Sequence, residues 1–406
     1  MTSPIYDVYK RVEVRPERGE GAYLYDEAGK RYLDFTSGIG VVALGHAHPH
    51  LVKALTDQAG KLWHSSNIFP IPPGERLAQR LVDATFADTV FFTNSGAEAV
   101  ECAIKTARRF HFAEGNPHRY RIITMEGAFH GRTLATIAAA GKARMQPDAS
   151  HNQPGSPELY GYGPPLDGFD LVPFDDLDAF AAAITDETAA IMVEPIQGEG
   201  GIRVLSPDTL RGLRDLCDQC GLLLILDEVQ CGTGRTGTFF FHEQAEIEPD
   251  IVAVAKGIGG GFPLGACLST AHAARGMTPG THGSTYGGNF LAMAVGNAVM
   301  DIVLEDGFME NVREMGDYLA EQLRGLCARH PQVYTAQRGV GLIQGICCVP
   351  PNFELNAALR KAGLLTVNAA GNVLRLLPPL IIGKEHVDEA VALLDQVAAN
   401  VSSVSS

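Results

Sequence analysis

The chain has 406 residues, of which 46% are hydrophobic and 19% are charged, and its formal net charge at pH 7 is −15. This length predicts two or three domains of a soluble globular protein, and the acidic balance argues against nucleic acid or an anionic membrane as a partner. No apolar run is as long as a membrane span, and the N-terminus lacks the apolar core of a signal peptide, so we expect a cytoplasmic protein with reduced cysteines.

The first predicted element is a hairpin in "AYLYDEAGKRYLDFTSG", with its turn at Glu27–Lys30. Short apolar strands then alternate with helical patterns over about residues 85–270. The predicted strands are "TVFFTN" (89–94), "YRIITMEGAF" (120–129), "AAIMVEPI" (189–196), "GLLLILDEV" (221–229), "DIVAVAKG" (250–257) and "GACLST" (265–270). Strands that are apolar on both faces and alternate with helices predict an α/β fold with a mostly parallel sheet between two layers of helices.

From about residue 300 the pattern changes to longer helices and glycine-containing strands, which predicts a second, smaller α+β domain. The strand-like segment "VYTAQRGVGLIQGICCV" belongs to it, as does a final amphipathic helix near "KEHVDEAVALLDQVAANV". We therefore expect an N-terminal segment at 1–55, a large domain at 56–300 and a small C-terminal domain at 301–406.

Several motifs resemble known sites but lack an essential part. "LLLILDE" resembles the acidic strand end of nucleotide-binding ATPases, but every Gly-Lys pair is followed by Arg, Leu, Ala or Glu instead of Ser or Thr. "GTGRTG" (232–237) matches the dinucleotide fingerprint, but no helical pattern follows it, so we expect a loop. "CDQC" (217–220) has no second cysteine pair, and "HAHPH" (46–50) has no obvious third ligand, so neither predicts a metal site.

Lys256 ends a predicted strand and is followed by glycines. Burying an unpaired ammonium costs roughly several kcal/mol. The lysine either ends an edge strand and extends to water, or it is a nucleophilic amine held neutral by covalent attachment to a carbonyl cofactor. This segment alone favours the first interpretation, because most lysines lie on protein surfaces.

The segment "TNSGAEAVE" (93–101) marks the start of a helix. Ser95, followed three residues later by Glu98, is a capping-box pattern that alone explains both residues. The same helix start presents the amides of Gly96 and Ala97, which could bind a phosphate at the positive end of the helix dipole. The sequence leaves both interpretations open.

Asp227 ends the strand "LLLILD", 29 residues before Lys256. Because ligands bind at the carboxyl ends of parallel strands, both side chains can face one crevice. A structural ion pair is the simple alternative. An amine, a carboxylate and a phosphate site together match the needs of pyridoxal 5′-phosphate, whose aldehyde bonds to the amine and whose ring nitrogen pairs with the carboxylate.

The sequence resembles the class III, fold-type-I pyridoxal phosphate aminotransferases over nearly its whole length, and the acetylornithine-type members most of all. The motifs that carry the resemblance are "YLYDEAGKRYLDFTSGIG", "LGHAHP", "FFTNSGAEAVECAIKTAR", "AFHGRT", "EPIQGEGG", "LILDEVQCGTGRTG", "AKGIGGGFPLGA", "GSTYGGN" and "LRLLPPL". The resemblance implies a fold-type-I large domain with a smaller domain formed by the C-terminal part and the N-terminal segment.

The resemblance also implies cofactor-binding residues, namely Ser95, Gly96, Ala97, Phe129, Asp227, Val229, Gln230, Lys256 and Thr285. Lys256 would bond to the cofactor and move the proton, and Asp227 would pair with the ring nitrogen. Phe129 would stack on one ring face, although by itself it is an ordinary core aromatic. Thr285 would come from the partner subunit, which requires a homodimer.

For the substrates, the resemblance implies carboxylate binding by Arg132 and Arg375, with Glu199 as a gate over Arg375 and Ser284 as a further contact. The implied reaction moves the δ-amino group of N2-acetyl-L-ornithine to 2-oxoglutarate, as in arginine biosynthesis. Val42 and Phe290 depart from the expected asparagine and proline. Succinylornithine, ornithine and 4-aminobutyrate therefore stay open as donors.

Overall fold

The fold is that of a computed structural model that describes residues 4–141, 162, 164 and 166–404. Its strands are β1 (Pro16–Glu20), β2 (Tyr23–Asp26), β3 (Arg31–Asp34), β4 (Thr89–Thr93), β5 (Arg121–Met125), β6 (Phe169–Val172), β7 (Thr188–Val193), β8 (Ile196–Gln197), β9 (Arg203–Val204), β10 (Leu223–Asp227), β11 (Ile251–Val254), β12 (Gly265–Ser269), β13 (Tyr334–Val340), β14 (Ile343–Cys348), β15 (Leu364–Leu365), β16 (Val367–Ala369) and β17 (Val373–Leu376). Its helices are α1 (Ser37–Gly40), α2 (Pro49–Ala59), α3 (Pro72–Ala84), α4 (Gly96–Ala113), α5 (Leu134–Ala139), α6 (Leu177–Ala183), α7 (Pro207–Cys220), α8 (Phe290–Val303), α9 (Phe308–Arg329), α10 (Asn352–Ala362) and α11 (Lys384–Val404).

The large sheet has seven strands in the order β4-β12-β11-β10-β7-β5-β6. Its strands are parallel except β12, which runs antiparallel to both of its neighbours. This confirms the predicted α/β fold with a mostly parallel sheet. Strands β7, β10 and β11 are neighbours and run parallel, so their carboxyl ends lie side by side at one edge of the sheet.

Strand β10 shows why this part of the sequence is apolar throughout. Leu223 and Ile225 pack in one hydrophobic cluster with helix α4, whereas Leu224 and Leu226 pack in a second cluster with helix α7. Because successive side chains of a strand point to opposite faces, a strand covered on both sides needs apolar residues at every position. Asp227, the last residue of β10, breaks this pattern.

The C-terminal part forms its own layer. Strands β13, β14, β17 and β16 make an antiparallel sheet that packs with helices α9 and α11 around a separate hydrophobic cluster. The N-terminal hairpin joins this part, because β15 pairs in parallel with β3 and places Leu364 opposite Leu33. The division at residues 55/56 and 300/301 stays a prediction, and its second boundary falls inside α8.

Most predicted elements lie where the sequence indicated. The hairpin is present, with Tyr25 opposite Arg31 across the predicted turn. Residues 232–237 form turns without a following α-helix, as expected for a loop. The HAHPH segment differs from a simple turn, because its last two residues begin α2 and His46 lies 2.8 Å from a carboxylate oxygen of Asp34. No helix within the described ranges is both long and apolar enough to cross a membrane.

Candidate active site

Three ionisable side chains follow three neighbouring parallel strands. Glu194 comes directly after β7, Asp227 ends β10, and Lys256 follows β11 after one alanine. The pairing of Asp227 with Ala253 brings the ends of β10 and β11 level. All three side chains line one cavity of about 430 Å³. The carboxyl edge of the sheet therefore concentrates charge in a place where ligands of such sheets bind.

The carboxylate of Asp227 is buried and held at both oxygens. Oδ2 lies 2.8 Å from Nδ1 of His130, and Oδ1 accepts a hydrogen bond of 3.1 Å from the backbone N–H of Val229. The His130 ring is itself buried, and its Nε2 has no partner among the described residues. These contacts fix the direction in which the carboxylate faces the cavity. His130 was not among the predicted site residues.

Lys256 is partly buried and adopts a left-handed backbone conformation with φ of 50°. Burial lowers the pKa of its amine most, Arg375 lowers it as well, and Glu199 and Asp227 oppose both effects, so that the pKa is about 8. An amine with this pKa is partly neutral near neutral pH, which a nucleophile or proton carrier requires.

Glu194 is a second buried carboxylate in the cavity, which the sequence analysis did not predict as a site residue. Its Oε2 accepts a hydrogen bond of 2.7 Å from the backbone N–H of Phe129. Burial raises its pKa, His130 opposes this and Asp227 adds to it, so that the pKa is about 7. Glu194 thus fixes the position of the segment that carries Phe129. The signal that could have identified it is its place at the end of a buried strand.

Helix α4 begins at the cavity, and its start has the serine cap, which is one of the two interpretations of the sequence. Ser95 is the N-cap, and its hydroxyl accepts a hydrogen bond of 3.3 Å from the N–H of Glu98. The N–H groups of Gly96 and Ala97 belong to the first turn, where no helical carbonyl can accept them. A Cβ atom on Gly96 would lie 2.8 Å from Cγ1 of Val229, so only glycine allows this close approach. Gly96 and Ala97 line the cavity, and the free amides of a helix start can bind an anion.

Apolar side chains also contribute to the lining of this cavity. Phe129 and Val229 both line the cavity and are half-buried. The Cζ atom of Arg132 lies 5.3 Å from the centre of the Phe129 ring, and its guanidinium is exposed at the mouth. A flat ring between Phe129 and Val229 would therefore have a cation near one edge.

Arg375, on β17, is completely buried behind the cavity wall. Its Nη2 donates to Oε1 of Glu199 at 2.7 Å, and its Nη1 donates to Oε1 of Gln230 at 3.0 Å. Glu199 and Gln230 line the cavity, whereas Arg375 does not. Access to the guanidinium from the cavity therefore requires the side chain of Glu199 to move.

The structure brings most of the predicted site residues together and separates three. The predicted residues that line the cavity are Ser95, Gly96, Ala97, Phe129, Arg132, Glu199, Asp227, Val229, Gln230 and Lys256. Arg375 lies one contact behind this wall. Ser284 lies outside it, with its Oγ 3.3 Å from Nδ2 of Asn94, and Thr285 is exposed on the surface. Neither Val42 nor Phe290 lines the cavity, although Val41 does.

This geometry can hold a flat, phosphorylated ring that carries a carbonyl group. The α4 amides suit the phosphate, Phe129 and Val229 suit the ring faces, and Asp227 suits a basic ring nitrogen. The amine of Lys256 can attack the carbonyl. Within the described ranges no group of three or more His, Cys, Asp or Glu side chains could hold a metal ion.

Known proteins are similar to this chain in sequence and in fold. The Aminotransferase class-III family matches residues 6–398. A Brucella melitensis protein named acetylornithine aminotransferase is 57% identical over 399 residues, which is 98% of this chain and 96% of the relative. Among solved structures, ornithine aminotransferase from Toxoplasma gondii superposes with a TM-score of 0.90 at 29% identity, over 98% of this chain and 93% of that one. N-acetylornithine aminotransferase from Stenotrophomonas maltophilia K279a superposes with a TM-score of 0.83 at 36% identity, over 98% of both chains. The chain therefore belongs to the class-III aminotransferases.

Proposed function

We propose that this aminotransferase uses pyridoxal 5′-phosphate to move the δ-amino group of N2-acetyl-L-ornithine to 2-oxoglutarate, giving N-acetyl-L-glutamate 5-semialdehyde and L-glutamate. The observation that carries the proposal is the meeting of Lys256, Asp227 and the start of α4 in one cavity. The name of the 57% identical relative supports acetylornithine as the donor. Arginine biosynthesis in the cytoplasm is the corresponding role.

The residues present fit the cofactor. Gly96 lacks the Cβ that would displace Val229. The buried Asp227 carboxylate is held at both oxygens, in a position where it can pair with a cationic group. Ser95, Gly96 and Ala97 would hold the phosphate. When bound, pyridoxal phosphate supplies an aldehyde that takes up the amino group and a protonated ring that accepts electron density.

The chain's own groups supply binding and proton transfer. Asp227, which His130 holds in place, would pair with the ring nitrogen and keep a proton there. Lys256, with its lowered pKa of about 8, would accept at Nζ the proton that leaves the δ-carbon of the donor and would hold it for the next transfer. Phe129 and Val229 would exclude water from the faces of the ring.

Two arginines divide the recognition of substrate carboxylates. Arg132 lies at the cavity mouth, where it would bind the α-carboxylate of the donor. Arg375 would bind the α-carboxylate of 2-oxoglutarate and glutamate after Glu199 moves aside. With a donor that has one carboxylate, Glu199 stays on Arg375 and prevents an unpaired buried cation. This exchange suits a ping-pong reaction in which two different substrates use one site in turn.

Thr285 and Ser284 would complete the site of the other subunit in a homodimer. Their position outside the cavity of their own chain and the exposure of Thr285 support this part of the proposal. A hydroxyl on the surface of one subunit can reach the phosphate site of its partner only across a two-fold interface.

A donor panel tests the proposal. Purified protein is given acetylornithine, succinylornithine, ornithine or 4-aminobutyrate with 2-oxoglutarate, and glutamate formation is measured. We expect the highest kcat/KM with acetylornithine and no transfer by the Lys256→Ala variant. A clear preference for another donor would replace acetylornithine in the proposal, and no transfer from any of the four would reject it.

A further inference from the structure

The contact between Arg375 and Gln230 has no part in the reaction described above. Arg375 has two hydrogen-bond partners among the described residues, Glu199 and Gln230, and its Nε is buried without one. If Glu199 leaves to admit a substrate carboxylate, Gln230 is the partner that holds the guanidinium. A buried guanidinium that lost both contacts could rotate away from the position that the carboxylate needs.

The two partners differ in their freedom to move. The side chain of Glu199 is 34% exposed and lies in the glycine-rich segment "GEGG". Gln230 is only 7% exposed and lies in the turn that follows β10. Glu199 is therefore suited to exchange with a ligand, and Gln230 is suited to stay in place.

Gly198 explains how Gln230 reaches Arg375. A Cβ atom at position 198 would overlap Oε1 of Gln230 and would lie 3.1 Å from Nη1 of Arg375. The absence of a side chain therefore provides the space in which these two groups meet. Alanine at this position would displace the glutamine side chain without changing its chemistry.

The same contact orients the whole amide. A guanidinium can only donate hydrogen bonds, so the carbonyl oxygen of Gln230 must face Arg375. The NH2 group of Gln230 consequently turns away from Arg375. Since Gln230 lines the cavity beside Asp227 and Val229, this donor is available to the ring subsite. One side chain thus connects the arginine with the place proposed for the cofactor.

We propose that Gln230 is a positioning residue for dicarboxylate substrates, whose carbonyl oxygen keeps the Arg375 guanidinium oriented while Glu199 is displaced by the incoming carboxylate. This inference rests on the proposed function, because that function assigns Arg375 to the α-carboxylate of glutamate and 2-oxoglutarate. It adds a selective role, since a donor with a single carboxylate does not need an open Arg375.

The test is equilibrium binding of two unreactive ligands to the cofactor-loaded full chain by isothermal titration calorimetry. Glutarate has both carboxylates of the acceptor, and N-acetyl-L-norvaline has the donor's single carboxylate without its amine. The variants are Gln230→Met, which removes the amide, and Gly198→Ala, which displaces it. Arg375→Ala is the positive control, and Gln337→Met, on distant β13, is the matched control.

Because a hydrogen bond to a charged group is lost, we expect glutarate to bind roughly tenfold more weakly to Gln230→Met and Gly198→Ala. N-acetyl-L-norvaline should bind within about twofold of the unmodified protein, and Gln337→Met should change neither ligand. If Gln230→Met does not fold, Gly198→Ala carries the test.

Three results would overturn the inference. If Arg375→Ala weakens glutarate binding but neither Gln230→Met nor Gly198→Ala does, the role of Gln230 is wrong and the proposed function stands. If both variants weaken both ligands equally, Gln230 has a general structural role. If Arg375→Ala leaves glutarate binding unchanged, the assignment of Arg375 in the proposed function fails together with this inference.

Discussion

Nδ1 of His130 and Oδ2 of Asp227 lie 2.8 Å apart, and both side chains are buried. This distance is that of a hydrogen bond between the imidazole and the carboxylate. The second carboxylate oxygen is held by the N–H of Val229. Asp227 therefore points into the cavity in a single direction.

Replacing His130 by leucine should weaken cofactor binding. The change removes one hydrogen bond to the Asp227 carboxylate, so the dissociation constant of pyridoxal phosphate should rise roughly tenfold. Fluorescence titration of the cofactor-free protein measures it. The exposed His118→Leu is the matched control and should bind as before. Equal affinity in both variants would show that Asp227 does not depend on His130.

Replacing Lys256 by alanine should abolish the covalent attachment of the cofactor. The unmodified protein should be yellow, and after borohydride reduction the cofactor mass should be found on the peptide that contains Lys256. The variant should lose both signals while retaining its circular dichroism spectrum. Lys53→Ala removes an exposed lysine and should retain them. An unchanged visible spectrum in Lys256→Ala would refute the assignment.

The reactivity of Lys256 should depend on pH with a midpoint far below that of ordinary lysines. In the cofactor-free protein, burial lowers the pKa of Lys256 from 10.5 to about 8, so its neutral, acylation-reactive form should prevail above that pH. Asp227 favours the ammonium form, so Asp227→Asn should move the midpoint lower still. Peptide mass spectrometry after brief acylation at several pH values measures it. A midpoint that rises in Asp227→Asn would contradict this electrostatic picture.

The same shift has a consequence for folding. The unfolded chain keeps the proton on Lys256 up to its ordinary pKa of 10.5, while the folded chain loses it near 8. The contribution of this lysine to the free energy of unfolding therefore increases as the pH rises from 8 to 10.5.

Replacing Gly96 by alanine should reduce cofactor affinity through overpacking. The added Cβ would meet Val229 at 2.8 Å and shift either that side chain or the start of α4. A displacement of this kind typically costs enough to weaken binding roughly tenfold. In Gly60→Ala the added Cβ would have its nearest neighbours at 3.8 and 3.9 Å, so this control should bind normally. The dissociation constant of pyridoxal phosphate is again the measurement.

Replacing Arg132 by alanine should raise the KM for acetylornithine far more than the KM for 2-oxoglutarate. A charged hydrogen-bonding partner of the donor carboxylate is lost, which should raise the donor KM roughly tenfold or more. Steady-state kinetics with each substrate varied in turn gives both constants. Arg324→Ala changes an exposed arginine of α9 and should alter neither constant. An equal rise in both constants would show that the two arginines do not divide the substrates as proposed.

The sequence alone predicted the strands that carry the site, because β7, β10 and β11 are buried on both faces and, apart from Thr188 at the start of β7, have no polar residue before their ends. It did not predict β6, a four-residue edge strand that contains an aspartate and is only partly buried. It also could not show that β12 runs antiparallel, since the direction of a strand depends on the path of the preceding loop.

Glu194 and His130 were not predicted as site residues, and the physical reason is the same for both. Glu194 acts through the N–H of Phe129, which lies 65 positions away, and His130 acts through Asp227, 97 positions away. Such contacts depend on tertiary structure and leave no periodic pattern in the chain. Arg375 was predicted only through the family resemblance, because its burial depends on the pairing of β17 with β14.

The left-handed backbone conformation of Lys256 costs conformational free energy. A residue with a Cβ atom pays about 1 kcal/mol or more to adopt a left-handed φ such as 50°, and glycine pays almost nothing. Selection for a robust fold alone would thus favour glycine at position 256. A Lys256→Gly chain should melt at a higher temperature than Lys256→Ala. This difference would show that the residue required for the reaction is not the residue that gives the most stable fold.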